Sequence, residues 1–200
     1  MELVTGGAGF IGSHLVDSLV SKGLKVRVLD NFSSGRKEFL EHHSETNNVE
    51  IIIADLLDLD AVKSAMNGIE TVHHLAANPD IRLGTEITDT DLQQGTIATY
   101  NVLEAMRHNG VKRISFASSS AIYGEASVMP TPETYGPVLP ISLYGASKLA
   151  SEALISSWCG TFGGEAWINR FANIVGPRGT HGVIFDFIHK LKKDPNRLEV

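Results

Sequence analysis

The sequence predicts an α/β protein built on a doubly wound parallel β-sheet. Short apolar segments of strand length alternate along the chain with longer amphipathic segments of helix length. The apolar segment at residues 49–54 contains three successive isoleucines, and such an unbroken run is typical of a strand buried on both faces of a parallel sheet. Strands that alternate with helices imply right-handed crossovers, with helices covering both faces of the sheet.

Each element follows from a local pattern. The first helix carries apolar residues at i, i+4 and i+8 and ends at Gly23, and the third is closed by Gly110. Two longer loops, at residues 78–91 and 125–142, follow the carboxyl ends of strands, where open α/β sheets bind their ligands. Strands are predicted at residues 2–4, 25–29, 49–54, 71–76, 113–117 and 166–171, and helices at residues 10–22, 61–66, 92–109, 147–158 and 184–193.

The composition excludes several classes of protein. Of the 200 residues, 42% are hydrophobic and 20% are charged, which is ordinary for a globular domain. The net charge of −6 gives no electrostatic reason to expect a nucleic acid or a membrane surface as partner. No apolar run approaches the roughly 20 residues of a spanning helix, and no signal-peptide pattern precedes the first strand. A single cysteine, Cys159, excludes an intrachain disulfide. We therefore expect a cytoplasmic protein without a metal site.

A glycine-rich loop, Thr5-Gly6-Gly7-Ala8-Gly9-Phe10-Ile11-Gly12, joins the first strand to the first helix. Gly6 permits a tight turn, Gly9 lets the backbone approach a pyrophosphate, and Gly12 lets helix and strand pack closely. The helix N-terminus offers unpaired N–H groups to the phosphates. Asp30 ends the second strand about 20 residues later, where a carboxylate accepts hydrogen bonds from the adenosine ribose. This combination predicts a Rossmann-type domain that binds NAD.

The acidic side chain favours NAD over NADP, because Asp30 would repel a 2′-phosphate. Arg36 is either a partner for such a phosphate or a solvated loop charge. Asp55 either meets the adenine or only caps the following turn, and the small residues after the fourth strand suit a cofactor lying across the strand end. The predicted cofactor-binding residues are Gly6, Gly9, Phe10, Ile11, Gly12, Asp30, Asn31, Ser33, Ser34, Gly35, Asp55, Leu56, Leu75, Ala76, Ala77, Tyr144 and Lys148.

Tyr144 and Lys148 are spaced so that they share one face of a helix. A phenol normally titrates near pH ~10, too high for a base at neutral pH. An ammonium one turn away favours the phenolate, and the pair can then transfer a proton while an alcohol is oxidised to a ketone.

Several motifs occur in a fixed order along the chain. They are the glycine loop, Asp30, Asp55, His74-Leu75-Ala76-Ala77, the segment Ser118-Ser119-Ser120-Ala121-Ile122-Tyr123-Gly124, the Tyr144/Lys148 pair and Arg170-Phe171-Ala172-Asn173. Together they resemble the extended short-chain dehydrogenase/reductase family, in its NAD-dependent epimerase/dehydratase branch. The resemblance implies a homodimeric enzyme, with contacts through the helices near residues 92–109 and 147–158, that acts on a UDP-sugar.

The same resemblance assigns roles to particular residues. Tyr144 corresponds to the catalytic base, and Lys148 to the residue that binds the nicotinamide ribose and lowers the tyrosine pKa. Ser119 corresponds to the catalytic hydroxyl, although Ser118 and Ser120 flank it and the register is open by one position. The implied substrate-binding residues are Ser119, Ser120, Tyr144 and Asn173, and Arg178 is either a phosphate contact or a loop charge.

The reaction expected from the resemblance is epimerisation of a nucleotide sugar at C4, of the UDP-glucose/UDP-galactose type and thus in galactose metabolism, through a transient 4-keto sugar. Dehydratases of the family usually carry an acid just after the catalytic hydroxyl, and Ser120-Ala121 offers none. The alternatives are an NAD(P)-dependent reductase or dehydratase acting on a nucleotide sugar or another alcohol, and a non-catalytic module that senses NAD.

Two features depart from the family pattern. Gly95 stands where the family often has an asparagine, so either Gln93 or Gln94 substitutes for it or that contact is absent. The family's substrate domain also continues well beyond residue 200, so we expect residues 1–175 to form the NAD-binding domain and residues 176–200 only the beginning of a smaller substrate domain.

Overall fold

The computed structural model describes residues 1–180 and 182–198. Its centre is a six-stranded parallel sheet with the strand order β3-β2-β1-β4-β5-β6. The strands are β1 (Glu2–Thr5), β2 (Val26–Asp30), β3 (Val49–Ile53), β4 (Thr71–His74), β5 (Arg113–Ser119) and β6 (Glu165–Phe171). The predicted fold class is confirmed. Strand order reverses between β1 and β4, which opens a crevice for a ligand at their carboxyl ends.

The helices are α1 (Phe10–Ser21), α2 (Leu59–Ala65), α3 (Leu83–Glu86), α4 (Ala98–Asn109), α5 (Leu143–Phe162) and α6 (Val183–Lys193). Residues Leu92–Ile97, predicted as the start of one long helix, form a π-helical segment before α4. The predicted loop at 78–91 contains α3, and two short 3-10 turns at Lys37–Phe39 and Glu41–His43 follow β2.

The fifth helix begins earlier than its apolar pattern predicts. The side chain of Ser142 accepts a hydrogen bond from the backbone N–H of Gly145 at 3.0 Å, and this N-cap starts α5 at Leu143. Tyr144 therefore lies in the first turn of the helix that also carries Lys148.

Two apolar layers stabilise the sheet, one on each of its faces. On one face Leu3, Val72 and Phe116 pack with residues of α2, α4 and α5, and on the other Val4 and Val28 pack against α1. Among the described residues, no helix is both long and apolar enough to cross a bilayer.

Candidate active site

The glycine loop is shaped by close backbone contacts at the switch point of the sheet. Gly6 has φ +69°, and a Cβ there would lie 2.7 Å from the backbone nitrogen of Ala76. A Cβ on Gly12 would overlap the carbonyl oxygen of Gly6, and one on Gly9 would lie 3.2 Å from it. The first turn of α1 carries no acidic residue. This cradle therefore fits a pyrophosphate, which needs close backbone approach and a helix N-terminus free of negative charge.

Asp30 holds the loop that follows β2. Its two carboxylate oxygens accept hydrogen bonds from the backbone N–H groups of Ala8, at 2.9 Å, and Phe32, at 2.8 Å. A Cβ on Gly35 would lie 2.9 Å from the same carboxylate, so glycine is required for the loop to pack there. Asp30 is thus tied to the phosphate loop on one side and to the predicted adenosine loop on the other.

The end of β3 is tied to the same loop by side-chain bonds. Asn31 donates to Asp55 Oδ2 at 2.9 Å, and Asp55 Oδ1 accepts the backbone N–H of Leu57 at 2.9 Å. Asp55 therefore caps the turn that follows β3, which is one of the two roles predicted for it. Arg36 is exposed and lies 5.9 Å from the ring of Phe39.

The three successive serines have different environments. Ser118 is buried and donates a hydrogen bond to Glu152, while Ser120 is exposed. Ser119 ends β5, accepts the backbone N–H of Ala121 at 3.1 Å, and hydrogen-bonds to the side chain of Tyr144. Of the three hydroxyls, that of Ser119 is the one placed against the phenol.

A close helix contact produces this arrangement. A Cβ at Gly145 would lie 2.7 Å from the carbonyl oxygen of Ala121, so only glycine lets α5 approach the end of β5. Tyr144 precedes this glycine and is brought against Ser119 by the same approach.

Lys148 is buried beneath the tyrosine. It is 3% exposed, donates to the carbonyl oxygen of Ala117 at 2.7 Å, and its Nζ lies 5.7 Å from the centroid of the Tyr144 ring. Burial lowers the pKa of Lys148 to about 8, with a partial opposing effect from the charge of Asp91.

The expected lowering of the Tyr144 pKa is not met in the structure. Burial raises this pKa, the hydrogen bond to Ser119 lowers it in part, and the charge of Asp91 raises it further. Desolvation has the largest effect on the Tyr144 pKa because the phenolate would be partly removed from water. The Lys148 ammonium does not offset it, because it donates to a backbone carbonyl and not to the phenol.

Asp91 is a buried carboxylate that the sequence did not single out. It is 2% exposed, and its Oδ1 accepts a hydrogen bond from Asn78 at 3.1 Å. Among the described residues, its Oδ2 is one of the few buried side-chain oxygens or nitrogens without a hydrogen-bond partner. No local pattern distinguishes such a residue from a surface aspartate of a loop.

Gly95 has a packing reason for departing from the family pattern. It lies in the π-helical segment before α4, and a Cβ there would come within 2.7 Å of Ser147 Oγ on α5. A side chain as large as asparagine does not fit this contact. The segment therefore packs tightly against α5 at this glycine.

A partly buried ion pair joins α5 to β6. Arg170 donates through Nε and Nη2 to the carboxylate of Glu152, and through Nη1 to Tyr123 Oη at 3.0 Å and to the carbonyl oxygen of Glu133 at 2.8 Å. Glu152 also accepts from Ser118, so one carboxylate connects α5 with β5 and β6.

The remaining predicted residues lie around the same edge of the sheet. Asn173 is exposed just beyond β6, and Phe10 and Ile11 form the first turn of α1. The guanidinium of Arg178 pairs with Asp17 at 2.8 Å. Leu75, Ala76 and Ala77 follow β4 beside the glycine loop, Leu56 is buried after β3, and Ser33 and Ser34 are exposed in the loop after Asp30.

Comparison with known proteins gives the family. The family model described as "NAD dependent epimerase/dehydratase family" matches residues 2–200. The chain belongs to this NAD-dependent epimerase/dehydratase family. Its fold is that of the extended short-chain dehydrogenases/reductases, and its cofactor is NAD, so both of these predictions are confirmed.

Three members of the family illustrate the range of similarity. A putative UDP-glucose 4-epimerase of Methanocaldococcus jannaschii is 39% identical over 199 residues, which are 97% of this chain and 64% of that protein. A crystal structure of a UDP-galactose 4-epimerase is 47% identical with a TM-score of 0.88, covering 97% of this chain and 63% of its own. UDP-glucuronic acid decarboxylase 1 of Xenopus tropicalis is 35% identical over 182 residues, 88% of this chain and 41% of that protein. The chain thus spans less than two thirds of the length of each.

Proposed function

We propose that this chain is the NAD-binding and catalytic part of a nucleotide-sugar 4-epimerase that interconverts UDP-glucose and UDP-galactose. The supporting observation is the cluster of Ser119, Tyr144 and Lys148 at the carboxyl edge of the sheet, without a carboxylate at positions 120 and 121. An epimerase needs only a base, a hydroxyl partner and a redox cofactor.

The cofactor would be held by the glycine loop, by Asp30 and by Lys148 at the nicotinamide ribose. When bound, NAD supplies reversible hydride transfer. Tyr144, as phenolate, takes the proton of the sugar C4 hydroxyl, and Ser119 donates a hydrogen bond to the oxygen that becomes a carbonyl. After the keto sugar has turned over, Tyr144 returns the proton to that oxygen, and the configuration at C4 is inverted.

The ability of Tyr144 to act as a base depends on the charges near it. Because burial raises the Tyr144 pKa, the phenolate requires nearby positive charge, which the Lys148 ammonium and an oxidised nicotinamide would provide. Within this proposal the protein is a homodimer through α4 and α5, and residues from about 176 onward begin the substrate domain.

The test is an assay of the full-length protein with UDP-galactose and UDP-glucose, without added NAD. We expect interconversion by the tightly held cofactor. A requirement for stoichiometric external NAD(H) would instead indicate a reductase, and release of carbon dioxide from UDP-glucuronic acid would indicate a decarboxylase. Bound NAD with no interconversion of either sugar would refute the assignment.

A matched pair of variants tests the base. Tyr144→Phe removes the phenol oxygen, and we expect it to retain NAD but to lose at least about 100-fold in kcat, in the range of general acid–base catalysis. Tyr100→Phe is the control, because Tyr100 is exposed on α4. Turnover of the Tyr144→Phe protein equal to that of the control would remove the tyrosine from the mechanism.

A further inference from the structure

Two adjacent histidines converge on one carboxylate oxygen outside the catalytic cleft. His42 and His43 lie in the 3-10 turn Glu41–His43, and Asp17 lies on α1. Each histidine Nε2 is 2.7 Å from Oδ1 of Asp17, and the three atoms all lie within 4.8 Å of one another. The catalytic and cofactor-binding roles described above use none of these side chains.

The donor set is that of a transition-metal site. Imidazole nitrogen and carboxylate oxygen are ordinary ligands of zinc, at about 2.0–2.2 Å from the metal, and three protein ligands leave a fourth position for water. Ligand atoms at those distances in a tetrahedron stand roughly 3.3–3.6 Å apart. The two Nε2–Oδ1 distances of 2.7 Å therefore need to lengthen by less than about 1 Å to admit the ion, and His42 is free to adjust because it is 48% exposed.

The surroundings fix the carboxylate in a suitable orientation. Arg178 Nη2 donates to Oδ2 of Asp17 at 2.8 Å, which leaves Oδ1 directed at the two imidazoles. Metal-ligating carboxylates are commonly held in this way by a hydrogen bond to the other oxygen. The buried side chain of His43 closes the site towards the protein, while the exposed His42 leaves a path for entry of the ion.

From this geometry we propose that Asp17, His42 and His43 form a binding site for a divalent transition-metal ion, with zinc as the best match. This proposal departs from the expectation, drawn from the sequence, of a chain without a metal site. The ion would join α1, which begins at the phosphate loop, to the segment that follows Asp30. Through its ion pair with Asp17, Arg178 would connect the segment after β6 to the same site. Its role is to clamp the adenosine side of the cofactor site, and it takes no part in proton transfer.

The proposal is tested by zinc titration of tag-free, chelator-treated full-length protein in competition with a chromophoric chelator. We expect one zinc ion per chain, a rise in the thermal midpoint on adding zinc, and the visible absorption of tetrahedral Co²⁺ when cobalt replaces it. Because ligands bind as free bases, affinity should fall as the pH is lowered.

Three variants and one control make the test specific. His42→Ala, His43→Ala and Asp17→Asn should each weaken zinc binding by at least about 10–100-fold. His108→Ala, at an exposed position on α4, should bind zinc as the unaltered protein does. His43 is buried and its variant is at risk of misfolding, so His42→Ala, at a half-exposed position, is the deciding one. Zinc binding that is absent, or equal in His42→Ala and His108→Ala, would overturn the proposal.

Discussion

Replacing Lys148 by methionine removes an ammonium group that the fold holds out of water. The side chain is 3% exposed, and burial lowers its pKa from 10.5 to about 8. The native state therefore binds this proton more weakly than the unfolded chain does. The resulting penalty on stability is complete below pH 8 and disappears as the pH rises towards 10.5. The difference between the two pKa values corresponds to about 3 kcal/mol.

The variant lacks this penalty but introduces another. Methionine cannot donate to the carbonyl oxygen of Ala117, and an unsatisfied buried carbonyl costs about 1–3 kcal/mol. At pH 7 we expect Lys148→Met to be as stable as the unaltered protein, or more stable by up to about 2 kcal/mol, although it should be catalytically impaired. Between pH 7 and 10.5 the difference in unfolding free energy should move by about 3 kcal/mol in favour of lysine.

The measurement is urea unfolding followed by circular dichroism at several pH values. The comparison is repeated in a Tyr144→Phe background, because the titration of this phenol depends on the charge of Lys148. Lys22→Met, at an exposed position after α1, controls for the chemical change of lysine to methionine. A difference between Lys148→Met and the unaltered protein that does not change with pH would refute the buried-ammonium argument.

Two other predictions concern the cofactor cradle and the ion pair. Gly12→Ala should reduce NAD affinity at least about 10-fold in calorimetric titration, because the added methyl group overlaps the phosphate loop. The control is Gly160→Ala, whose methyl group points into open space, and this variant should bind NAD normally. Its free energy of unfolding should be about 0.5–1 kcal/mol higher than that of the unaltered protein. Equal NAD affinity in the two glycine variants would contradict the assignment of the glycine loop as the pyrophosphate site. Glu152→Gln removes the charged partner of Arg170, which keeps its hydrogen bonds to Tyr123 and to the Glu133 carbonyl. The variant should lose roughly 2–4 kcal/mol of unfolding free energy in urea, less than for a fully buried pair because Arg170 is 26% exposed. Glu104→Gln, from a surface pair, should cost under about 1 kcal/mol, and equal losses would show that the network contributes little.

Local sequence patterns were sufficient for the framework of the site. The glycine loop, the acid at the end of β2 and the Tyr144/Lys148 spacing each depend on neighbouring residues, and each lies where the pattern predicted. Boundaries were less accurate: apolar periodicity gave no sign of the π-helical segment at Leu92–Ile97, and the start of α5 was set by a cap at Ser142. A cap and a π-bulge each depend on a few hydrogen bonds, which hydrophobic periodicity does not register.

The sequence by itself determined the doubly wound sheet, the NAD loop and the family, because these are encoded by repeating apolar patterns and by short motifs with fixed spacing. Only the tertiary structure decided which of three serines meets Tyr144, that Lys148 is desolvated, that Arg178 pairs with Asp17, and that two histidines share its carboxylate. These properties arise between segments far apart in the chain. Strand order and helix packing bring such segments together, and burial then sets the strength of the charges they carry.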